Sequence, residues 1–89
     1  MTKNEIFAKN LVLSTEFDRY VLEHLDFAEQ IPVNALVVLL PEYDQELCEI
    51  NKNLAERQRE KNQSIVYVHI AKIAPQISRL VDVSLENVA

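Results

Sequence analysis

Two short apolar runs separated by an amphipathic stretch constrain the fold of this chain more than any other feature. The first run is Ala35–Leu40 and the second is Ile65–Ile70; both are rich in branched side chains, and Pro41 follows the first. Runs of this length and character are typical of strands covered on both faces, rather than of buried helices. The segment between them, from Asp44 to about Asn62, is long enough for about five helical turns. The pattern predicts a βαβ unit with parallel strands and a right-handed crossover.

Residues at the start, along one face and near the end of the central segment all favour a helix. Asp44 is a good N-cap residue, because its carboxylate can accept hydrogen bonds from the free N–H groups of the first turn. Leu47, Ile50 and Leu54 recur at helical spacing and predict one buried stripe. Basic residues near the end of the predicted helix suit the negative end of its dipole, and they are Arg57, Arg59 and Lys61.

The flanking segments are less uniform. Residues 3–24 are amphipathic, but Ser14-Thr15 could cap a second helix, so one long helix and two short ones both remain open. Asp26 and Glu29 have the spacing of a capping box and indicate a further short helix before Pro32. Leu80–Leu85 alternates between apolar and polar side chains, which predicts a half-exposed strand at a sheet edge.

These segments predict an α/β fold, with α+β as the alternative, in a single domain over residues 1–89. The expected order is α-β-α-β-β, with helices packed on a small three-stranded sheet. A sheet this thin leaves apolar strands in need of cover on the second face. Either the N-terminal helices or a second subunit would supply that cover, so we expect a homodimer.

Composition narrows the function. The chain contains no glycine, so it cannot form the glycine-rich loops that cradle phosphates in nucleotide-binding proteins. Its net charge of −5 argues against nucleic acid as the main partner. Apolar stretches are far shorter than the roughly 20 residues of a membrane span, and the N-terminus has no apolar signal region. The one cysteine, Cys48, cannot form an internal disulfide. Together these features lead us to expect a cytoplasmic protein that is not associated with a membrane, and we also expect no cofactor.

Candidate site residues are few. In a βαβ unit ligands bind beyond the carboxyl ends of the strands, where Glu42, Asp44 and His69 are expected. They could serve a metal-dependent hydrolase, although the simpler interpretation is that Asp44 caps the helix, Glu42 is solvated and His69 is a strand residue. A basic cluster could contact nucleic acid, or could be a solvated helix end; its members are Arg57, Arg59 and Lys61. His24 is expected to be a partly buried packing residue, and Cys48 a small packing residue rather than a nucleophile.

Several segments together resemble a family of short bacterial and archaeal proteins of unknown function. They include Ser14–Val21, Ala28–Pro32, Val37–Pro41, Leu54–Glu56 and Ile65–Val68, and the resemblance extends over about residues 14–80. It implies a small stand-alone prokaryotic domain and carries over no activity or catalytic residue.

The leading functional hypothesis is therefore a non-enzymatic protein–protein interaction module. One version of it is the antitoxin-like, neutralising partner of a two-component system. The alternatives are a hydrolase using Glu42, Asp44 and His69, and a nucleic-acid-associated regulator using the basic cluster.

Overall fold

In the computed structural model, which describes residues 1–88, one βαβ unit organises the chain. The elements in order are α1 (Lys3–Glu23), α2 (Leu25–Glu29), β1 (Leu36–Pro41), α3 (Gln45–Gln58) and β2 (Ile65–Ile70). β1 and β2 pair in parallel, with Leu36 opposite Ile65 and Pro41 opposite Ile70. The predicted βαβ unit is confirmed, and the mixture of helices with a small sheet fits the α+β class.

α3 packs on one face of the sheet. Buried Val38 and Leu40 of β1 meet Cys48 and Ala55 of α3, and Leu36 and Ile65 pack around them. The helix ends at Gln58, so the predicted end near Asn62 is wrong. Arg59 has an extended backbone, and the N–H of Glu60 donates to the side-chain oxygen of Gln63 at 3.0 Å. The N–H of Glu60 therefore has a hydrogen-bond partner outside the helix, and α3 ends about one turn before the predicted residue.

α1 is one continuous helix, which decides between the two alternatives left open by the sequence. Thr2 and Glu5 form a capping box at its start. Ser14 does not interrupt it, because its hydroxyl donates to the carbonyl of Leu11 one turn back, at 3.1 Å. Leu13 is buried, with 2% of its surface exposed, and it lines grooves with residues of β2 and α3. α1 therefore supplies part of the cover expected for the second face of the sheet.

α2 exists as a short helix, but its predicted start is wrong. It begins at Leu25, with His24 at the N-cap and no capping hydrogen bond from a side chain. Phe27 packs edge-to-face against Phe17 and Tyr20 of α1, with ring centroids 6.3 and 5.3 Å apart. These ring contacts hold the helix in place of the expected Asp26 capping box.

The predicted third strand is wrong. Residues 71–88 contain no helix or strand, and within residues 1–88 the sheet has two strands. Asp82 has φ 54°, a left-handed conformation that breaks the extended backbone of the alternating segment. A strand needs a neighbouring strand for its backbone groups, and the segment meets none within residues 1–88. It forms a C-terminal tail, which we define as residues 71–88.

Candidate functional site

The two outer edges of the sheet differ in which backbone groups are free. The N–H of Leu36 donates to Ser64, and the N–H of Glu42 donates to Ile70, both at 2.8 Å. In a parallel ladder only alternate residues bond to the neighbouring strand. The even-numbered residues of both strands therefore bond inside the ladder, and the odd-numbered residues direct their N–H and C=O groups outward.

The outer edge of β1 is largely closed by side chains of α3. The amide of Asn51 donates to the carbonyl of Leu39 at 2.9 Å, and the thiol of Cys48 donates to the carbonyl of Pro41 at 2.9 Å. Pro41 has no N–H to offer. Asn51 is held in turn by a reciprocal amide pair with Asn10 of α1, both bonds being 3.0 Å. Another strand would find few hydrogen bonds along this edge.

The outer edge of β2 is open. Ile65, Tyr67 and His69 carry its outward backbone groups, and no hydrogen bond engages those groups among residues 1–88. Tyr67 and His69 are exposed. Unpaired strand edges of this kind are where another extended segment can add to a sheet.

An apolar groove runs beside that open edge, and we call it the β2-edge groove. It has a volume of about 370 Å³. α1 and α2 contribute Leu13, Phe17, Tyr20 and Phe27, while β2 and the first part of the tail contribute Val68, Ile70 and Ile73. Its wall is mainly apolar and aromatic, and Glu16, His69 and Lys72 line it as well.

A second apolar groove lies between α1 and α3, over the outer edge of β1, and we call it the α1–α3 groove. Its volume is about 350 Å³, and it is lined by Phe7, Leu11, Leu36, Val37 and Leu54 among others. Phe7 is 70% exposed and Leu11 is 54% exposed. Two large apolar side chains therefore remain exposed beside this groove.

Asp44 has the structural role that its position suggested. One carboxylate oxygen accepts the N–H of Leu47 at 3.1 Å, and the other accepts the ammonium of Lys9 at 2.8 Å. The hydrogen bond from Lys9, followed by that from Leu47, holds the pKa of Asp44 below its ordinary value. The same contact raises the pKa of Lys9. Asp44 therefore caps α3 and ties it to α1.

Glu42 follows the end of β1 and His69 lies in β2, and both residues are exposed. Among residues 1–88, no three His, Cys, Asp or Glu side chains form a group that could hold a metal ion. The structure thus does not assemble Glu42, Asp44 and His69 into a set of metal ligands.

The basic residues lie at the end of α3 and just beyond it. Arg57 lies in the last turn of α3, whereas Arg59 is the C-cap and its guanidinium donates to the carbonyl of Gln63 at 2.8 Å. Lys61 lies in the turn beyond the helix. Arg59 thereby supports the loop into β2, and the three residues are spread over helix, cap and turn.

Cys48 is a buried packing residue, whereas His24 lies at the surface. Cys48 is buried, and burial raises the pKa of its thiol, which disfavours a reactive thiolate. His24 is exposed, so its predicted partial burial is wrong. Its ring stacks on Tyr20 with centroids 3.9 Å apart, and its Nδ1 lies 2.9 Å from the Tyr20 carbonyl oxygen.

Sequence reasoning missed the residues that shape these surfaces. Helical spacing puts Asn51 next to the apolar stripe of α3, but it does not predict the bond from Asn51 to the edge of β1. A polar amide among the apolar positions of a helix was the available signal, because a buried amide needs partners. Phe7 and Leu11 carried no signal, since a sequence does not show which side of an amphipathic helix stays uncovered.

Among residues 1–88, no helix is both long enough and apolar enough to cross a membrane. Within residues 1–88, the fold and its surfaces define a small α+β protein with one βαβ unit, an open sheet edge, and apolar grooves that include the β2-edge groove and the α1–α3 groove. A family model described as a family of unknown function, DUF5647, matches residues 5–83, and the chain belongs to this family. No curated protein and no solved structure matches the chain. The resemblance to an uncharacterised family is thus confirmed.

Proposed function

We propose that this protein is a non-enzymatic, cytoplasmic protein–protein interaction module that works as a homodimer and binds a second protein in the α1–α3 groove. The observation that carries the proposal is the pair Phe7 and Leu11, one helical turn apart and more than half exposed over an apolar groove. Exposed apolar side chains grouped at a groove are typical of surfaces that bind another protein.

The occupant that fits this groove best is an amphipathic helix with a basic polar face. The floor of the groove is the edge of β1, where Asn51 and Cys48 already occupy two carbonyl groups. An added strand would lack partners there, whereas a helix satisfies its own backbone and needs only apolar contact. The net charge of −5 favours a positively charged partner.

In the antitoxin-like version of the proposal, that helix belongs to the partner protein. The activity of the partner is blocked when its helix is bound in the α1–α3 groove of this chain. Small size and acidic charge support it. The hydrolase alternative is weaker, because Asp44 already uses both carboxylate oxygens. The nucleic-acid alternative is also weaker, because Arg59 is committed to Gln63.

The test is a comparison of tagged variants expressed in the native cell. Phe7→Glu places a charge in the groove, and we expect it to abolish capture of the partner, because a desolvated charge has no counterion there. Leu22→Glu is the matched control: it makes the same kind of change on the same helix, at a residue 77% exposed. Recovered proteins would be quantified by mass spectrometry against the tagged chain.

We expect one other protein to be recovered in near-equimolar amount with the unmodified chain and with Leu22→Glu. We expect that protein to be lost with Phe7→Glu. Equal recovery with Phe7→Glu would show that the groove is not the binding surface. Recovery of no protein other than the chain itself would contradict the binding of a second protein.

A further inference from the structure

We propose that the homodimer forms by reciprocal strand exchange, in which residues 80–85 of each copy add to the outer edge of β2 in the other copy. The inference deepens the homodimer part of the proposed function and is independent of the α1–α3 groove. Three features support it: the free edge of β2, the strand-like segment 80–85, and the β2-edge groove, which fits one side of that segment.

The edge supplies hydrogen bonds that the chain itself leaves unused. Ile65, Tyr67 and His69 direct their N–H and C=O groups outward from β2, away from β1. The corresponding edge of β1 is occupied at Leu39 and Pro41. An added strand therefore has one favourable edge, and it is that of β2.

The tail supplies a segment with strand periodicity and no place to bury its side chains. Val81, Val83 and Leu85 form one row and are 79%, 72% and 91% exposed. Asp82 and Ser84 form the opposite, polar row. On pairing, Asp82 changes from its left-handed conformation to an extended one, and aspartate tolerates both.

The surfaces on the two sides of the edge match the two rows. The β2-edge groove is mainly apolar and aromatic, with Phe17 and Tyr20 on its α1 side, and this apolar part can take the apolar row. On the α3 side, the Lys52 ammonium lies 5.7 Å from the centre of the Tyr67 ring. A cation beside this edge suits the acidic row that contains Asp82.

A second copy is the occupant because each chain carries one free edge and one free segment. The tail leaves the carboxyl end of β2 without folding back along it, and Pro75 favours an extended path. Residues 71–79 can span roughly 30 Å when extended, which is enough to reach a neighbouring sheet. Two copies related by a two-fold axis satisfy both edges and both segments at once.

The test uses full-length variants that each remove one half of the contact. His69→Pro removes an outward N–H from the β2 edge while leaving the ladder to β1 intact, and His69→Val is its control because it keeps that N–H. Val83→Asp places a charge in the apolar row, and Ser84→Asp is its control because the same side chain falls in the polar row. Association would be measured by sedimentation equilibrium, with circular dichroism to verify folding.

We expect dimers for the unmodified chain and for both controls, and dimerisation at least tenfold weaker for His69→Pro and for Val83→Asp alone. In a mixture of His69→Pro and Val83→Asp, the intact tail of the first can pair with the intact edge of the second, so a mixed dimer forms at concentrations at which each variant alone is monomeric. A monomeric unmodified chain, undiminished dimers of either variant, or a mixture that stays monomeric would each overturn strand exchange.

The two proposals fail separately. A monomer that still captures a second protein through Phe7 would refute strand exchange and retain the interaction module. A strand-exchanged dimer that captures nothing would refute the second-protein partner and retain the dimer.

Discussion

The side chain of Asn51 connects three elements of the structure: α3, β1 and α1. It is 9% exposed, and its amide joins α3 to the edge of β1 through Leu39 and to α1 through Asn10. An amide is suited to this position because it both donates and accepts. An apolar residue there would leave the Leu39 carbonyl without a partner.

We expect Asn51→Ala to lower the free energy of unfolding by about 1–3 kcal/mol, because the Leu39 carbonyl and the Asn10 amide lose their partner in a buried setting. Urea unfolding followed by circular dichroism measures the loss. Asn53→Ala is the matched control, since Asn53 is exposed on the same helix, and it should change the free energy of unfolding by no more than about 0.5 kcal/mol. Equal losses for the two variants would mean that the Asn51 network adds nothing.

At the scale of elements, α3 depends on its first turn. Asp44 caps the helix through Leu47 and pairs with Lys9 of α1, so one carboxylate serves both the helix and its packing. The folded-state pKa of Asp44 lies below the ordinary value of 3.8. The folded form therefore holds this proton more weakly than the unfolded form, and the stabilisation is fully present above pH 3.8 and lost as the pH falls through the folded-state pKa.

Asp44→Ala should unfold at a lower urea concentration than the unmodified chain at neutral pH, because both the cap and the ion pair are lost. Asp44→Asn should fall between the two, since its side-chain oxygen can still accept the N–H of Leu47. The differences should shrink as the pH falls from about 3.8 through the lower folded-state pKa of Asp44, because the carboxylate of the folded chain then becomes protonated. A gap between unmodified and Asn variants that stays constant down to pH 2 would contradict this role of the charge.

At the scale of the whole molecule, the chain is extended rather than compact. Its radius of gyration is 17.9 Å, whereas a compact domain of 89 residues has about 12 Å. Much of the excess belongs to the tail, where every residue of 71–88 is exposed. The apolar side chains of this tail are the surface that the proposed strand exchange would bury.

Thermal stability should consequently depend on protein concentration. The melting temperature of the unmodified chain should rise as the concentration increases, because association stabilises the folded state by mass action. The melting temperature of Val83→Asp should stay constant over the same range, and Ser84→Asp should behave like the unmodified chain. Scanning calorimetry over a hundredfold concentration range provides the measurement, and a constant melting temperature for all three chains would contradict association through the tail.

Local patterns in the sequence determined the βαβ unit, the start of α3 and the packing role of Cys48. Each of these depends on residues near one another in the chain: an apolar run, a cap and a helical stripe. The tertiary structure alone decided which edge of the sheet stays open, because that depends on Asn51 reaching Leu39 and Asn10. It also decided that residues 80–85 form no strand in the single chain, since alternation shows what a segment can pair with but not whether a partner lies within reach.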